Sequence, residues 1–223
     1  MDLEMSFASM NEIIQLNSDL LVNVIKTVYA KSKWQLKDFI TITYAEAMEK
    51  YGCDRPDLRF GLPMKTITEV VADTPFQVFR NPIENGGIVK AIKVSKEEMG
   101  DKRMSKGAIE KLTTLAQSNG LGGLAYIIVN ENDLQSPIIK FLGEDIGAKI
   151  IEIMDAKVGD IVFFSAADYK TANKALDAVR QELGAMLNLI PKNVLQPAWV
   201  IDFPQFEEKE EGGWTFSHNP FSM

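Results

Sequence analysis

Two apolar runs constrain the fold of this chain more than any other feature of its sequence. Residues 124–129 read LAYIIV and residues 161–164 read IVFF. Short runs that are nearly continuous in apolar side chains are typical of strands buried on both faces. Segments with helical periodicity lie near both runs, at residues 106–117 and from Asp168 to about residue 189. Alternation of strands and helices predicts a compact α/β unit in the middle of the chain.

Patterns of a different kind lie on either side of this unit. Residues 2–7 alternate between polar and apolar, which predicts a strand with Asp2 and Glu4 on one face. Ser9 and Glu12 form a capping box at the start of an amphipathic helix that is predicted to end near Lys31. Near the other end, strands at 199–206 and 214–218 are predicted to flank an acidic hairpin tip. Strands and a helix on both sides of an α/β unit indicate an insertion inside a sheet domain.

Shorter elements connect these parts. The sequence predicts a strand at 39–43, a helix at 44–51 that stops at Gly52, and two strands at 76–79 and 88–94. The connection at 53–61 is charged, with Arg55, Asp57 and Arg59 close together. These three side chains could contact RNA or brace the insertion, and ordinary surface ion pairing is the interpretation that we favour.

Composition excludes several classes of protein and of site. The chain has 223 residues, 46% of them hydrophobic and 25% charged, which excludes disordered and collagen-like classes. The net charge of −7 argues against binding of nucleic acid through the overall charge of the protein. It leaves open binding through a local basic patch. One cysteine, Cys53, allows no internal disulfide and no cysteine zinc site. The chain has only one histidine and one cysteine, which argues against a small-molecule enzyme whose catalysis uses a nucleophile–base pair.

Location also follows as an expectation from the sequence. The first residues lack the apolar core of a signal peptide, and no apolar run approaches the roughly 18–20 residues that span a bilayer. We therefore expect a cytoplasmic protein with no membrane partner.

Several short segments of the sequence resemble segments of a known family. TYAEAMEKYGCDRPDLR at 43–59, DLEMSF at 2–7, WVIDFPQFE at 199–207 and SHNPFSM at 217–223 are similar to segments of bacterial-type aspartyl-tRNA synthetases. Between them, GLAYI at 123–127, SPIIKFL at 136–142 and GDIVFF at 159–164 resemble the GAD domain inserted in that family. The resemblance spans nearly the whole chain, in the family's order.

The resemblance implies an architecture. The fold class would be α+β: part of a class II synthetase antiparallel-sheet catalytic domain carrying an inserted two-layer α/β GAD domain. Residues 1–66 would be a catalytic-domain piece with the end of the motif 2 strand, residues 67–190 the GAD-like insertion, and residues 191–223 further catalytic-domain strands. The family's anticodon-binding domain, motif 1, the arginine of motif 2 and motif 3 are not found in this sequence. We therefore expect a central fragment that is inactive by itself.

The resemblance also implies a reaction. The family activates L-aspartate with ATP, together with Mg²⁺, to aspartyl-adenylate and transfers the aspartyl group to the 3′ end of tRNA(Asp), with tRNA(Asn) as a further candidate acceptor. The parent would be a homodimer. No cofactor is expected to bind the fragment.

Three residues match the family's binding site for L-aspartate. By resemblance, Asp2 would receive the substrate ammonium group, Glu4 would organise the pocket, and His218 would bind a substrate carboxylate. Many relatives carry a second histidine where this chain has Asn219, an amide that cannot become cationic. Without the resemblance, two acidic residues on a solvated strand face and a capped or core histidine would be the simpler interpretation.

An alternative function stays open. A GAD-type domain also occurs outside synthetases, so the chain could be a non-catalytic module that contacts tRNA or a protein partner.

Overall fold

The computed structural model describes residues 3–100, 104–209 and 211–217. The chain divides into two compact units. The inserted unit is Tyr44–Ile190, and the outer unit combines Met1–Thr43 with Pro191–Met223. Each unit is described by itself.

The inserted unit is built on one antiparallel sheet of five strands in the order β3-β4-β7-β5-β6. The strands are β3 Met64–Thr66, β4 Ile88–Val94, β5 Ala125–Val129, β6 Leu134–Gln135 and β7 Ile161–Ala167. The helices are α2 Tyr44–Tyr51, α3 Gln77–Glu84, α4 Lys96–Met99, α5 Lys106–Ser118, α6 Ile139–Leu142, α7 Glu144–Ile153 and α8 Tyr169–Met186, with a 3-10 helix at Thr68–Val71.

Hydrophobic cores lie on both faces of this sheet. Along β7, Ile161 and Phe163 belong to one core, and Val162 and Phe164 belong to the other. Helices α5 and α8 cover the first face, whereas the 3-10 helix, α3, α6 and α7 cover the second. The predicted two-layer arrangement is therefore wrong: the unit has three layers. A strand that is apolar on both faces needs cover on both.

Local signals account for most elements of the inserted unit. Strand β4 has the predicted bounds, and α5 and α8 form where helices were predicted. Asp168 caps α8 by accepting a hydrogen bond from the Thr171 N–H at 2.9 Å. The predicted strand at 76–79 is wrong, because this segment leads into helix α3, whose Phe79 is buried in the second core. The aromatic residues that suggested a strand there serve helix–sheet packing instead.

The inserted unit begins earlier than the predicted boundary at residue 67. Helix α2 contacts β3 and α8. Its Glu49 carboxylate accepts hydrogen bonds from the Thr66 N–H at 2.9 Å and the Thr66 hydroxyl at 2.8 Å. Contacts therefore place residues 44–66 in the inserted unit.

The described residues of the outer unit form one long helix and three strand pairs. Helix α1 is Met10–Val28, with the predicted capping box between Ser9 and Glu12. Strands β1 and β8 are parallel, β2 and β9 are parallel, and β10 and β11 are antiparallel. Their bounds are β1 Gln35–Leu36, β2 Ile40–Thr43, β8 Val194–Leu195, β9 Ala198–Ile201, β10 Phe206–Glu208 and β11 Trp214–Phe216.

The antiparallel sheet predicted for this unit is not formed among its described residues, since two of its three strand pairs are parallel. Parallel neighbours require a crossover connection. The whole inserted unit lies in the connection between β2 and β9, as an insertion requires.

The predicted strand at 2–7 is also wrong over its described part. Residues 3–5 are irregular and residues 6–7 form a turn. Phe7 has a φ of 58° and a fully exposed side chain. No described strand pairs with residues 3–7, and an extended segment without a neighbour has no ladder of hydrogen bonds to hold it.

The two tryptophans on the strands of the outer unit differ in exposure. Trp199 on β9 is half-buried, stacks on Phe39 at 5.8 Å between ring centres, and donates a 2.8 Å hydrogen bond to the Ser18 hydroxyl. Trp214 on β11 is 71% exposed.

Candidate functional site

The predicted L-aspartate site falls mostly outside the described residues. Asp2 and His218 both lie there. Glu4 is described, and it is exposed in the irregular segment before helix α1 rather than on a strand. The site formed by these three residues therefore stays a prediction.

The charged connection after Gly52 is a braced loop. The Arg59 guanidinium donates to both carboxylate oxygens of Asp57, from Nε at 2.9 Å and from Nη2 at 2.6 Å. These hydrogen bonds hold the pKa of the Asp57 carboxyl below its ordinary value. Arg55 is 93% exposed, with its Nε 3.7 Å from an Asp54 oxygen. Bracing is thus the role of Asp57 and Arg59, whereas Arg55 is an ordinary surface cation.

Arg180 on α8 holds this loop from the inside. Its side chain is fully buried. Nη2 donates to the carbonyl oxygens of Asp57, Phe60 and Gly61 at 2.8, 3.0 and 2.9 Å, and Nε donates to those of Gly61 and Leu62 at 3.2 Å. A planar guanidinium with several donors can satisfy a group of carbonyls that converge in this way.

Aromatic rings complete the surroundings of Arg180. Its guanidinium carbon lies 4.1 Å from the centre of the Phe60 ring and 4.7 Å from that of Tyr51. Burial lowers the pKa of Arg180, and the nearby Asp177 carboxylate opposes this shift. Sequence reasoning missed Arg180, although it lies on the apolar stripe of its helix beside Leu176, Val179 and Leu183. A charged residue on such a stripe was the available signal.

Cys53 lies near Arg180 and Asp177, and its thiol is a poor nucleophile. The thiol is half-buried, and burial together with the Asp177 carboxylate raises its pKa to about 11. Since the thiolate is the nucleophile, a thiol with this pKa is a poor one near neutral pH.

A second buried cation, Lys90 on β4, anchors the end of helix α2. Its Nζ donates to the carbonyl oxygens of Met48 and Glu49 at 2.9 and 2.7 Å, and to Asn173 Oδ1 at 2.9 Å. The Glu49 carboxylate lies 3.6 Å away. Burial lowers the pKa of Lys90, and Glu49 opposes this shift. The amine gives the Glu49 carbonyl at the helix end a donor and adds a second donor to the Met48 carbonyl, which also accepts from the Gly52 N–H at 3.1 Å. Its role is therefore structural.

The inserted unit also carries an open groove of about 990 Å³. Its walls include the apolar side chains of Met99, Ile128 and Val158 and the polar loop at 130–133. Gly100 and Met104 also line the groove.

No group of three or more His, Cys, Asp or Glu side chains among the described residues could hold a metal ion. No helix in the described part of the chain is long and apolar enough to cross a membrane.

Comparison with known proteins supplies what this geometry leaves open. Residues 79–176 match the family model of the GAD domain. This stretch lies inside the inserted unit and includes four of the five strands of its sheet.

The similarity to relatives extends over the whole chain. This chain is 40% identical to an aspartate–tRNA(Asp/Asn) ligase of Persephonella marina, over 99% of its own length and 36% of the length of the relative. An aspartate–tRNA ligase of Clostridium novyi is 41% identical over 100% of this chain and 37% of its own length. An aspartate–tRNA(Asp/Asn) ligase of Bacillus subtilis is 37% identical with the same coverage.

The chain thus spans little more than a third of the length of these relatives. The similarity continues on both sides of the insertion and so includes the outer unit. Along its whole length the chain is therefore similar to one segment of these aspartate–tRNA ligases, and residues 79–176 within it match the GAD domain.

Proposed function

We propose that this chain serves in a ligase that activates L-aspartate with ATP and transfers the aspartyl group to tRNA(Asp). The supporting observation is similarity along the entire chain, at about 40% identity, to proteins named for this activity. Some of these names specify tRNA(Asp/Asn), and tRNA(Asn) is therefore a second acceptor to test. The proposed parent is a cytoplasmic homodimer whose flanking strands belong to a class II catalytic domain.

The reaction requires positioning and charge stabilisation more than covalent chemistry by the protein. An aspartate carboxylate attacks the α-phosphorus of ATP, and pyrophosphate leaves; the terminal ribose hydroxyl of the tRNA then displaces AMP from the acyl carbon. Both steps depend on aligned reactants and on charges placed where charge develops. The substrate brings one ammonium group and two carboxylates, so its pocket must offer partners of both signs.

The proposed partners are Asp2 for the ammonium group and His218 for a carboxylate, with Glu4 organising the pocket. Asp2 and Glu4 are anionic, and the imidazole of His218 can donate a hydrogen bond or carry a positive charge. Mg²⁺ would accompany ATP as its counter-ion. Among the described residues, no group of three or more His, Cys, Asp or Glu side chains could hold the ion by itself.

The chain by itself should not activate aspartate. The arginines that grip ATP in this family are not among its residues. Aspartate-dependent exchange between ATP and labelled pyrophosphate tests this, and turnover by the 223-residue chain would contradict the proposal.

The site residues are tested by placing the chain in a longer ligase. When the matched segment of the Clostridium novyi relative is replaced by this chain, we expect aspartate-dependent exchange. The His218→Ala and Asp2→Asn variants should raise KM for aspartate at least tenfold. Asp19→Asn is a matched control, because Asp19 is exposed on α1 and accepts a hydrogen bond only from Gln15 among the contacts described. Equal KM values for all three would exclude the proposed pocket.

A second candidate is a non-catalytic GAD-type module that contacts tRNA or a protein. The observation in its favour is that the inserted unit has its own cores on both faces of its sheet. Gel-shift titration of tRNA with the 223-residue chain tests RNA binding, and the absence of a shift at micromolar protein would count against it.

A further inference from the structure

The outer unit carries a concentration of positive charge that the net charge of the chain conceals. The chain has a net charge of −7, yet residues 20–37 and residues 191–201 contain no Asp or Glu. These two stretches supply five exposed lysines, which we call the basic surface: Lys26, Lys31, Lys33, Lys37 and Lys192. None of the ion pairs among the described residues uses any of the five. Their charges are therefore free to attract an anionic partner.

Backbone pairing brings the two stretches together. Strands β1 and β8 run parallel with Gln35 opposite Val194. The Gln35 N–H donates to the Asn193 carbonyl oxygen at 2.8 Å. Lys33 and Lys192 each lie two residues before the pair of Gln35 and Val194. Lysines that are distant in the sequence thus lie at the same end of one strand pair.

The turn that carries Lys31 and Lys33 is held by hydrogen bonds. It begins at Tyr29, the residue that ends helix α1. The N–H and the hydroxyl of Ser32 both donate to the Tyr29 carbonyl oxygen, at 2.9 and 2.7 Å. The Ser32 hydroxyl also accepts from the Trp34 N–H at 3.3 Å. Because this backbone is already ordered, a partner that binds the lysines does not have to order it.

Two aromatic rings lie among these lysines. Tyr29 is 41% and Trp34 is 40% exposed, and their ring centres are 5.9 Å apart. Lysines alone would attract any polyanion. Exposed rings interleaved with cations are typical of surfaces that bind nucleic acid, where cations follow the phosphates and rings stack on bases. The combination therefore favours a nucleic acid over an anionic membrane.

We propose that the basic surface, together with Tyr29 and Trp34, binds tRNA through its phosphate backbone. The inference rests on the proposed function, in which tRNA is the macromolecular substrate, and it adds a contact remote in sequence from the proposed aspartate pocket. Lysines are almost never fully buried unless they are paired, so this surface faces solvent in a longer ligase as well. Phosphate contacts carry no sequence information, and the surface therefore contributes affinity without selecting between tRNA(Asp) and tRNA(Asn).

The test is binding of a Clostridium novyi tRNA(Asp) transcript to the 223-residue chain. Lys31→Gln/Lys33→Gln removes two charges from the basic surface. Lys106→Gln/Lys174→Gln is the matched control, because it removes two charges from exposed positions on helices of the inserted unit. At about 0.1 M salt we expect the first pair to weaken binding about tenfold and the control pair by less than about threefold. The slope of log affinity against log salt should become shallower by about 1.5 for the first pair.

The aromatic rings have a test of their own. Trp34→Leu should weaken binding of the transcript about fivefold without a change in the salt slope, because a ring stacks on a base but carries no charge. An unchanged affinity would contradict the role assigned to the rings.

Other results would assign the binding elsewhere. Equal affinities for the two lysine pairs would overturn the proposal, and binding that only the control pair weakens would move the RNA site to the inserted unit. Vesicles of phosphatidylglycerol and phosphatidylcholine test the other anionic surface. Sedimentation of the chain with these vesicles, without binding of the transcript, would overturn the proposal in favour of a membrane.

The chimaera with the Clostridium novyi relative separates this inference from the proposed function. Lys31→Gln/Lys33→Gln should raise the KM for tRNA in aspartylation about tenfold. It should leave aspartate-dependent exchange unchanged, since that step does not involve tRNA. An unchanged KM for tRNA in an active chimaera would overturn the inference. A chimaera without exchange would contradict the proposed function, while charge-dependent binding of the transcript by the 223-residue chain would still support the basic surface.

Discussion

The guanidinium of Arg180 lies 4.1 Å from the centre of the Phe60 ring while it donates to the Phe60 carbonyl oxygen at 3.0 Å. One side chain therefore holds both the backbone and the ring of the loop that joins helix α2 to strand β3. Cation–π contacts of this kind strengthen when the pair is removed from water. The loop is fixed by a residue more than a hundred positions away in the sequence.

Replacement of Arg180 should destabilise the inserted unit strongly. Arg180→Met keeps much of the volume but leaves the loop carbonyls without donors, and we expect a loss of about 3 kcal/mol in the free energy of unfolding. Arg80→Met is the control, since Arg80 forms an exposed pair with Glu84 on α3 and should change stability by less than about 0.5 kcal/mol. Urea denaturation of the 223-residue chain measures both. A loss below 1 kcal/mol for Arg180→Met would contradict the anchoring role.

Two glycines should respond to alanine in opposite directions. Gly52 has a φ of +73°, and a Cβ there would lie 2.7 Å from the Asn173 carbonyl oxygen, so Gly52→Ala should cost more than about 1 kcal/mol. Gly107 lies in helix α5 with open space around its Cα, and Gly107→Ala should stabilise by about 0.5–1 kcal/mol. Thermal unfolding distinguishes the two. Equal shifts would show that the close approach at Gly52 is relieved by a small movement.

Cys53 should react slowly in the folded chain. A rise in pKa from 9.0 to about 11 lowers the thiolate fraction at pH 8 about 100-fold. Alkylation with iodoacetamide should therefore be much slower in buffer than in urea. Comparable rates would mean that the thiol is neither desolvated nor close to Asp177.

The Asp57–Arg59 pair should make stability depend on pH in the acid range. Because the pKa of the folded Asp57 carboxyl is lowered, its contribution is fully present above the unfolded pKa of about 3.9 and is lost as the pH falls through the folded pKa. Wild type should thus be more stable than Asp57→Asn at pH 7, and the difference should shrink below pH 4. A difference that is constant between pH 7 and pH 2.5 would exclude this linkage.

The start of the inserted unit at Tyr44 predicts which fragment of the chain can fold by itself. A fragment of residues 44–190 should unfold cooperatively in urea. A fragment of residues 67–190 lacks strand β3, the acceptors of Lys90 in helix α2 and the loop carbonyls bound by Arg180, and it should fail to do so. Buried cations that lose their partners are strongly destabilising. Equal cooperativity of the two fragments would move the boundary back to residue 67.

Much of the inserted unit could be predicted from local patterns. Strand β4, helix α5 and the Asp168 cap follow from periodicity and capping chemistry, which act within a few residues. Segment 76–79 could not be assigned in this way, since a short apolar run fits either a strand or a helix. Its helical state depends on the sheet face that Phe79 covers. For the candidate site, the charged loop at 53–61 was visible in the sequence. Its anchor Arg180 was missed despite the signal on helix α8, because the carbonyls that it binds lie more than a hundred positions away.

The sequence by itself determined the apolar runs, the helix ends and the segments that resemble the synthetase family, because each depends on neighbours along the chain. Tertiary structure alone decided that both faces of the sheet are covered, that residues 44–66 join the inserted unit, and that Lys90 and Arg180 are buried. Those outcomes depend on contacts between distant residues, where a hydrogen bond gains strength from the exclusion of water. Such exclusion exists only after the chain has folded.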